Sequence, residues 1–316
     1  LTSAGGGVVV RSVTRPGLVG FRLSATESTG LDWPRIDETW AQASELGALS
    51  AGWMSDHLSD ASRERNGPAF ESLTMAGALA RRVPGKWVGI VVLSNTFRHP
   101  ALVAKSATVL DNVTGGRFIL GLGAGWHPGE HDAFGLPLPP LRERFDRYES
   151  ALRVLEALFS DAARSEPGVT LEDPFFPLHG ATNEPPPIRP GGPVIWLGGQ
   201  HRRGIALAAR YAEGWPMPGN RPGDVAYFSE KRDQISRALE AVGRDPAAFS
   251  FAAQLSCGST RASRRTALET ALAFVRAGAT HVILGVPAEV APEGLATTVA
   301  EVAEPLLAAA PAGGER

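Results

Sequence analysis

Residues 117–125 read Arg-Phe-Ile-Leu-Gly-Leu-Gly-Ala-Gly, and Trp126 and His127 follow at once. An apolar run of strand length fills 118–122, with glycine at 121, 123 and 125. Glycine suits places where another backbone, or a flat ligand, must come within van der Waals distance. A buried strand that ends this way, next to an aromatic and a titratable side chain, has two readings. It is the edge of a cofactor site, or a strand packed tightly at a barrel corner. The dinucleotide fingerprint, Gly-x-Gly-x-x-Gly opening a helix, is not met. The third glycine comes one residue early, and Pro128 is expected to interrupt any helix there.

Working outward, apolar runs of strand length fall at 17–23, 48–54, 87–93, 118–122, 194–197, 214–217, 249–255 and 281–285. They lack polar alternation, as strands buried on both faces do. Helical stripes lie between them. Trp33, Ile36, Trp40 and Ala43 share one face, with Pro34 in the first turn and Gly47 at the stop. Phe145, Tyr148, Leu152, Leu155 and Phe159 follow a 3,4,3,4 spacing. Val225, Phe228, Ile235, Leu239 and Val242 make another stripe, and Leu268, Leu272 and Val275 a third, stopped by Gly278. All are read as core packing. Eight strands alternating with helices predict an α/β fold, a (β/α)8 TIM barrel forming one domain over 1–316. One irregularity is a long excursion over 124–192, between the fourth and fifth strands. Its second part, 161–192, is rich in Pro and Gly and has little expected regular structure.

Composition narrows the class. A chain of 316 residues with 43% hydrophobic content buries enough surface to fold without a disulfide. Cys257 is the only cysteine, so no internal disulfide exists and a cytoplasmic, reducing location is expected. It is read as a small core or strand-end residue. A net charge of −2 gives no reason to expect nucleic acid or an anionic membrane as partner. No apolar run reaches membrane-spanning length, and residues 8–10 are too short for a signal-peptide core. The segments 1–15 and 311–316 are expected to be loose.

In a parallel barrel, side chains at the C-terminal strand ends form the site. Those ends are Asp56-His57; Ser94-Asn95; Gly123, Ala124, Gly125 and Trp126; and Gly198-Gly199-Gln200. His57 is able to donate and accept a proton near neutrality. The adjacent carboxylate of Asp56 would fix its tautomer, unless strand alternation turns the two apart. The plainer alternative is a surface Asp and a packed His. Gly198 to Arg202 reads as a strand end opening a helix, either a phosphate cradle or only a tight turn. His127, Glu130, His131 and Asp132 invite a metal reading, but no second ligand group stands at suitable spacing and no metal is expected.

Taken in order, Ser55-Asp56-His57-Leu58, Asn95-Thr96-Phe97-Arg98-His99-Pro100, Thr114-Gly115-Gly116-Arg117, the glycine strand, and Pro193 to Gln200 with Ala208 to Trp215 resemble the luciferase-like monooxygenase superfamily. The nearest branch is that of oxidoreductases using the deazaflavin F420. The resemblance covers about residues 17–286. It implies the same barrel, an insertion covering the cofactor cleft, and a homodimer. It also implies a cis peptide near Val91-Val92 backing the ring, with Ser94 and Asn95 at the ring's polar edge and Asp56 in polar contact with it. His57 is implied as the proton-transfer residue, and Gly198, Gly199, Gln200, His201 and Arg202 as the phosphate end. Trp126, His127, Phe175 and Phe176 are expected on the substrate side. Trp126 stands where relatives that oxidise glucose 6-phosphate carry a catalytic Glu, which argues against that substrate. The expected function is F420-dependent hydride transfer to or from a small organic molecule. FMN-dependent oxygen activation in the same fold, or flavin binding without catalysis, are the rivals.

Overall fold

In the computed structural model, residues 15–23, 32–59, 68–287 and 291–310 are described. Most of the segments expected to be loose, 1–14 and 311–316, lie outside them, as do residues 8–10. The chain runs β1 (Val19–Arg22), α1 (Trp33–Glu45), β2 (Ala51–Met54), α2 (Ser72–Leu79), β3 (Trp87–Ile90), β4 (Leu93–Ser94), α3 (Pro100–Thr114) and β5 (Phe118–Gly123). It continues with α4 (Pro128–Phe134), α5 (Leu141–Leu158), β6 (Val169–Leu171), β7 (Leu178–Ala181), β8 (Val194–Leu197), α6 (Arg202–Tyr211), β9 (Gly214–Pro216) and α7 (Val225–Ala241). It ends with β10 (Ser250–Ser256), α8 (Arg261–Arg276), β11 (His281–Gly285), α9 (Glu293–Thr298) and α10 (Glu304–Ala309). The parallel strands pair in the order β3-β2-β1-β11-β10-β9-β8-β5, and β3 pairs with β5 to close the barrel. Eight strands close as the sequence pattern requires.

Alternation along each strand sorts the core into two parts. Outward side chains meet the helices in the larger cluster, which includes Phe21, Trp40, Phe118, Tyr148 and Phe274. Inward side chains form a smaller one: Ala51, Trp53, Trp87, Val91, Ile119, Val194, Trp196, Ala252 and Ile283. Trp53 and Trp196 stack at 4.7 Å across the interior. Gly89 and Gly214 make room for them, since a Cβ at either would strike the indole rings. His281 completes this plug: its Nδ1 lies 2.6 Å from Gly17 O, and Trp53 Nε1 donates to its Nε2 at 2.9 Å.

Two expectations shift. The third strand does not run through 93: it breaks at a cis Val91-Val92 peptide and resumes as β4. On α8 the buried face is Ala267, Ala271 and Phe274, one residue ahead of the expected stripe. Small alanines let the helix lie close to the barrel, so the larger Leu268, Leu272 and Val275 end up at the flanks, partly buried. Cys257 is buried just past β10, and burial pushes its thiol up to about 12, which makes it a core residue.

The excursion is more ordered than its composition suggests. Pro128 opens α4 at its first position, with the His127 side chain accepting from Glu130 N as the N-cap. Proline costs nothing there because that N–H has no partner within the helix. The later part forms the β6–β7 hairpin and is fastened to outer helices. Asp173 accepts from Arg153 of α5 at 2.5 Å; Asn183 bonds Thr108, and Arg189 N donates to Asp111, both on α3. These anchors of 161–192 therefore lie on the outer helices α3 and α5.

Candidate active site

The C-terminal mouth is built from the last inward positions of each strand. Period-2 alternation from Gly20, Trp53, Ala252 and Trp196 brings Arg22, Ser55, Gln254 and Gly198 inward in the top layer. One half of that layer is polar. In the other half, around Gly123 and Gly198, the nearest side chain among the described residues is Val92, which rises from the cis bulge. A Cβ at Gly121 would strike Ile90 O, and one at Gly123 would lie 2.8 Å from Val92 Cγ2. The spaced glycines thus admit the chain's own bulge, as the tight-corner reading has it. The result is a smooth apolar wall at the mouth.

His57 follows β2 at the rim, with its side chain 20% exposed. Its Nδ1 lies 2.9 Å from Glu130 Oε2, and Glu130 is buried. The other carboxylate oxygen accepts from Leu58 N at 2.6 Å and Ser59 N at 3.2 Å. Burial opposes the charge on Glu130, but the hydrogen bond and charge of His57 and the two backbone N–H groups outweigh it and hold its carboxyl below the usual range. An ionised carboxylate only accepts, so Nδ1 carries the proton and Nε2 is left as the working nitrogen. Trp126, 64% exposed, sets its edge against the His57 ring, with centroids 6.2 Å apart.

The carboxylate that fixes His57 is therefore Glu130, not the adjacent Asp56. Asp56 turns to the other side of its strand and is fully covered. It accepts from Arg98 twice at 2.8 Å, from Ser72 Oγ at 2.6 Å and from Ser94 N at 2.8 Å. Its two oxygens thus accept four hydrogen bonds from within the protein. Ser94 Oγ pairs with Thr96 Oγ1 at 2.7 Å, and Asn95 N donates to Gly123 O. Asn95 itself lines a cleft of about 480 Å³ behind this loop, with Phe97, His99, Arg147 and Phe176. Phe175 lies under Arg147. Phe176 thus lines this cleft, whose lining does not include His57 or Trp126, and Phe175 stands beside it against Arg147. His127 serves as a cap, and both ring nitrogens of His131 are engaged, on His127 O and Thr96 Oγ1.

On β8, Gly198 N donates to Leu122 O. Gly199 has φ +153°, and a Cβ there would lie 2.8 Å from Gly204 Cα. Its glycine identity is set by the packing of turn on helix. Gln200 Oε1 accepts from Tyr227 at 2.9 Å. His201 is the N-cap of α6 but makes no side-chain cap bond, so the first N–H groups of that helix have no capping acceptor. Arg202 is exposed, whereas Arg203 is tied to Asp146 and Glu149. The sequence analysis missed Glu130 as a partner of His57. Proline at the first helical position with Glu130 at the third was the available signal.

The family model of luciferase-like monooxygenases matches residues 18–312. A phthiodiolone/phenolphthiodiolone dimycocerosates ketoreductase of Mycobacterium tuberculosis is 32% identical over 269 residues, 79% of this chain and 66% of that protein. The chain thus spans just under two thirds of that relative's length. An F420-dependent glucose-6-phosphate dehydrogenase of Kineococcus radiotolerans is 30% identical over 73% of this chain and 64% of its own. Among solved structures, an F420-dependent secondary alcohol dehydrogenase superposes with a TM-score of 0.70 at 17% identity, covering 86% of this chain and 94% of that one. An EDTA monooxygenase from Chelativorans sp. BNC1 gives 0.72 at 17% identity, covering 93% and 94%. These two show the fold.

Proposed function

Because the chain belongs to the luciferase-like monooxygenase family, we propose that it is an F420-dependent oxidoreductase exchanging a hydride between the deazaflavin and a small organic substrate. The observation that carries this reading is His57 at the rim, oriented by Glu130 with Nε2 left to meet a ligand. The relative named as an F420-dependent dehydrogenase supports the choice of cofactor. The mouth fits a flat ring on one side: Val92, Gly123 and Gly198 offer an apolar surface without protruding polar groups. The uncapped start of α6, with Arg202 beside it, fits an anionic tail. Bound there, the deazaflavin would supply the carbon that gives or receives the hydride. His57 gives a proton to the substrate oxygen, or takes one from it, at Nε2. Glu130 holds the ring's tautomer, and Trp126 shields that edge from water.

The test is equilibrium fluorescence titration of the purified chain with F420 and with FMN. F420 is expected to bind at least tenfold tighter. Tighter binding of FMN would transfer the reading to oxygen activation, the chemistry named for the EDTA monooxygenase of the same fold.

A further inference from the structure

The polar half of the mouth has no part in the chemistry above. Gln254 of β10 is 5% exposed and points inward. Its Nε2 donates to Met217 O, and a carbonyl only accepts, so the amide orientation is fixed with Oε1 on the opposite side. That oxygen is buried and has no hydrogen-bond partner among the described residues. An unmet buried acceptor is costly, and natural proteins rarely keep one without a use. Across from it stands the Arg22 guanidinium of β1, whose Nη1 donates to Ser55 Oγ at 3.1 Å. Between them lies Gly219. A Cβ there would sit 3.7 Å from Arg22 Nη1 and 3.8 Å from Gln254 Oε1. One small group beside Gly219 therefore reaches both, and among the described residues the missing side chain leaves that position open.

We propose that Arg22 and Gln254 form a substrate subsite for a hydroxyl group remote from the reacting carbon, kept open by Gly219. The group must accept from Arg22 and donate to Gln254 Oε1. A carboxylate or phosphate would place its lone pairs against those of Gln254, so the pair selects a neutral donor–acceptor over an anion. A hydroxyl meets both demands with one atom. The subsite deepens the oxidoreductase reading and rests on it for the identity of the ligand as substrate.

The test compares 4-hydroxycyclohexanone with cyclohexanone, which differ by one hydroxyl, by saturation-transfer NMR on the full chain with and without F420. Wild type is expected to hold the hydroxylated probe about tenfold tighter. Two variants should remove that preference: Gln254→Leu, and Gly219→Ala, whose methyl makes only ordinary contacts with Arg22 and Gln254. F420 affinity should stay within threefold in both. No hydroxyl preference in wild type, or a preference that survives both variants, overturns the subsite. Loss of F420 affinity in the variants assigns the pair to the cofactor and also overturns it. If wild type binds no F420 at all, the oxidoreductase reading fails, while the probe pair still reports on the subsite.

Discussion

His57 Nδ1 and Glu130 Oε2 stand 2.9 Å apart, 73 residues apart in sequence, and Glu130 also accepts from the two backbone N–H groups that follow His57. One buried carboxylate thus fixes both the ring and the loop that carries it. Glu130→Gln keeps the shape but reverses part of the pattern. Its oxygen must stay on Leu58 and Ser59, so its NH2 group faces His57 Nδ1 and drives the proton to Nε2. We expect kcat to fall about a hundredfold, the scale of general acid–base catalysis, with F420 affinity little changed. Nitrogen chemical shifts of the His57 ring should report the change of tautomer. Unchanged shifts with unchanged turnover would mean that Glu130 only supports the loop.

His57→Asn should retain cofactor binding and lose turnover by about 10²–10⁴-fold, since the amide does not titrate near neutrality. Single-turnover kinetics with the cofactor in excess separates this from weakened binding. A loss under about threefold would remove His57 from proton transfer.

Asp56 joins the end of β2 to α2 and to the loop before α3 through Arg98, Ser72 and Ser94. Breaking a buried pair on one side costs about 3–5 kcal/mol, because the other charge stays buried. Asp56→Asn should therefore unfold at lower urea, while the folded fraction binds F420 within about threefold of wild type. Normal stability with lost F420 affinity would instead make Asp56 a contact of the ring.

A similar contrast separates Gly199 from Arg202. Alanine at 199 drives a methyl into the Gly204 backbone, so Gly199→Ala should be destabilised by about 1–3 kcal/mol, the cost of overpacking, even without cofactor. Arg202 is exposed at the start of α6; Arg202→Ala should leave the urea midpoint alone and weaken F420 several-fold. A midpoint unchanged in Gly199→Ala would show that the turn yields.

The barrel was legible because strands buried on both faces leave uninterrupted apolar runs such as 194–197 and 281–285, whose bounds the structure repeats. The break at Val91-Val92 left no mark in composition, and its location came from the resemblance alone. Pro128 misled because its meaning depends on position: inside a helix it breaks, at the first residue it starts. His57 was found from its strand end, a local signal. Glu130, Arg22 and Gln254 were not, because what makes them a site is closure of the barrel, which brings β1, β10 and the start of α4 to one rim.

The last prediction concerns the interior plug. Burial lowers the pKa of His281 to about 4, from an unperturbed value near 6.5, although its bond to Gly17 O works the other way. The neutral ring is fully matched, Nδ1–H to Gly17 O and Nε2 receiving Trp53 Nε1–H. Protonation would set two N–H groups against each other. The folded pKa is depressed, so the stability from the neutral ring is complete above pH 6.5. It declines as the unfolded chain takes up a proton below that, and is lost as pH falls through 4. The linkage amounts to about 2 kcal/mol by pH 5 and about 3 kcal/mol at its limit. Other groups titrate in this window, so the measure is a difference. His281→Gln supplies a donor and an acceptor but no titration. Urea unfolding at pH 7.5 and pH 5 should show the gap between wild type and variant shifting by about 2 kcal/mol in favour of the variant at the lower pH. A gap that does not move with pH would mean that His281 takes up its proton as readily in the folded barrel as in the unfolded chain.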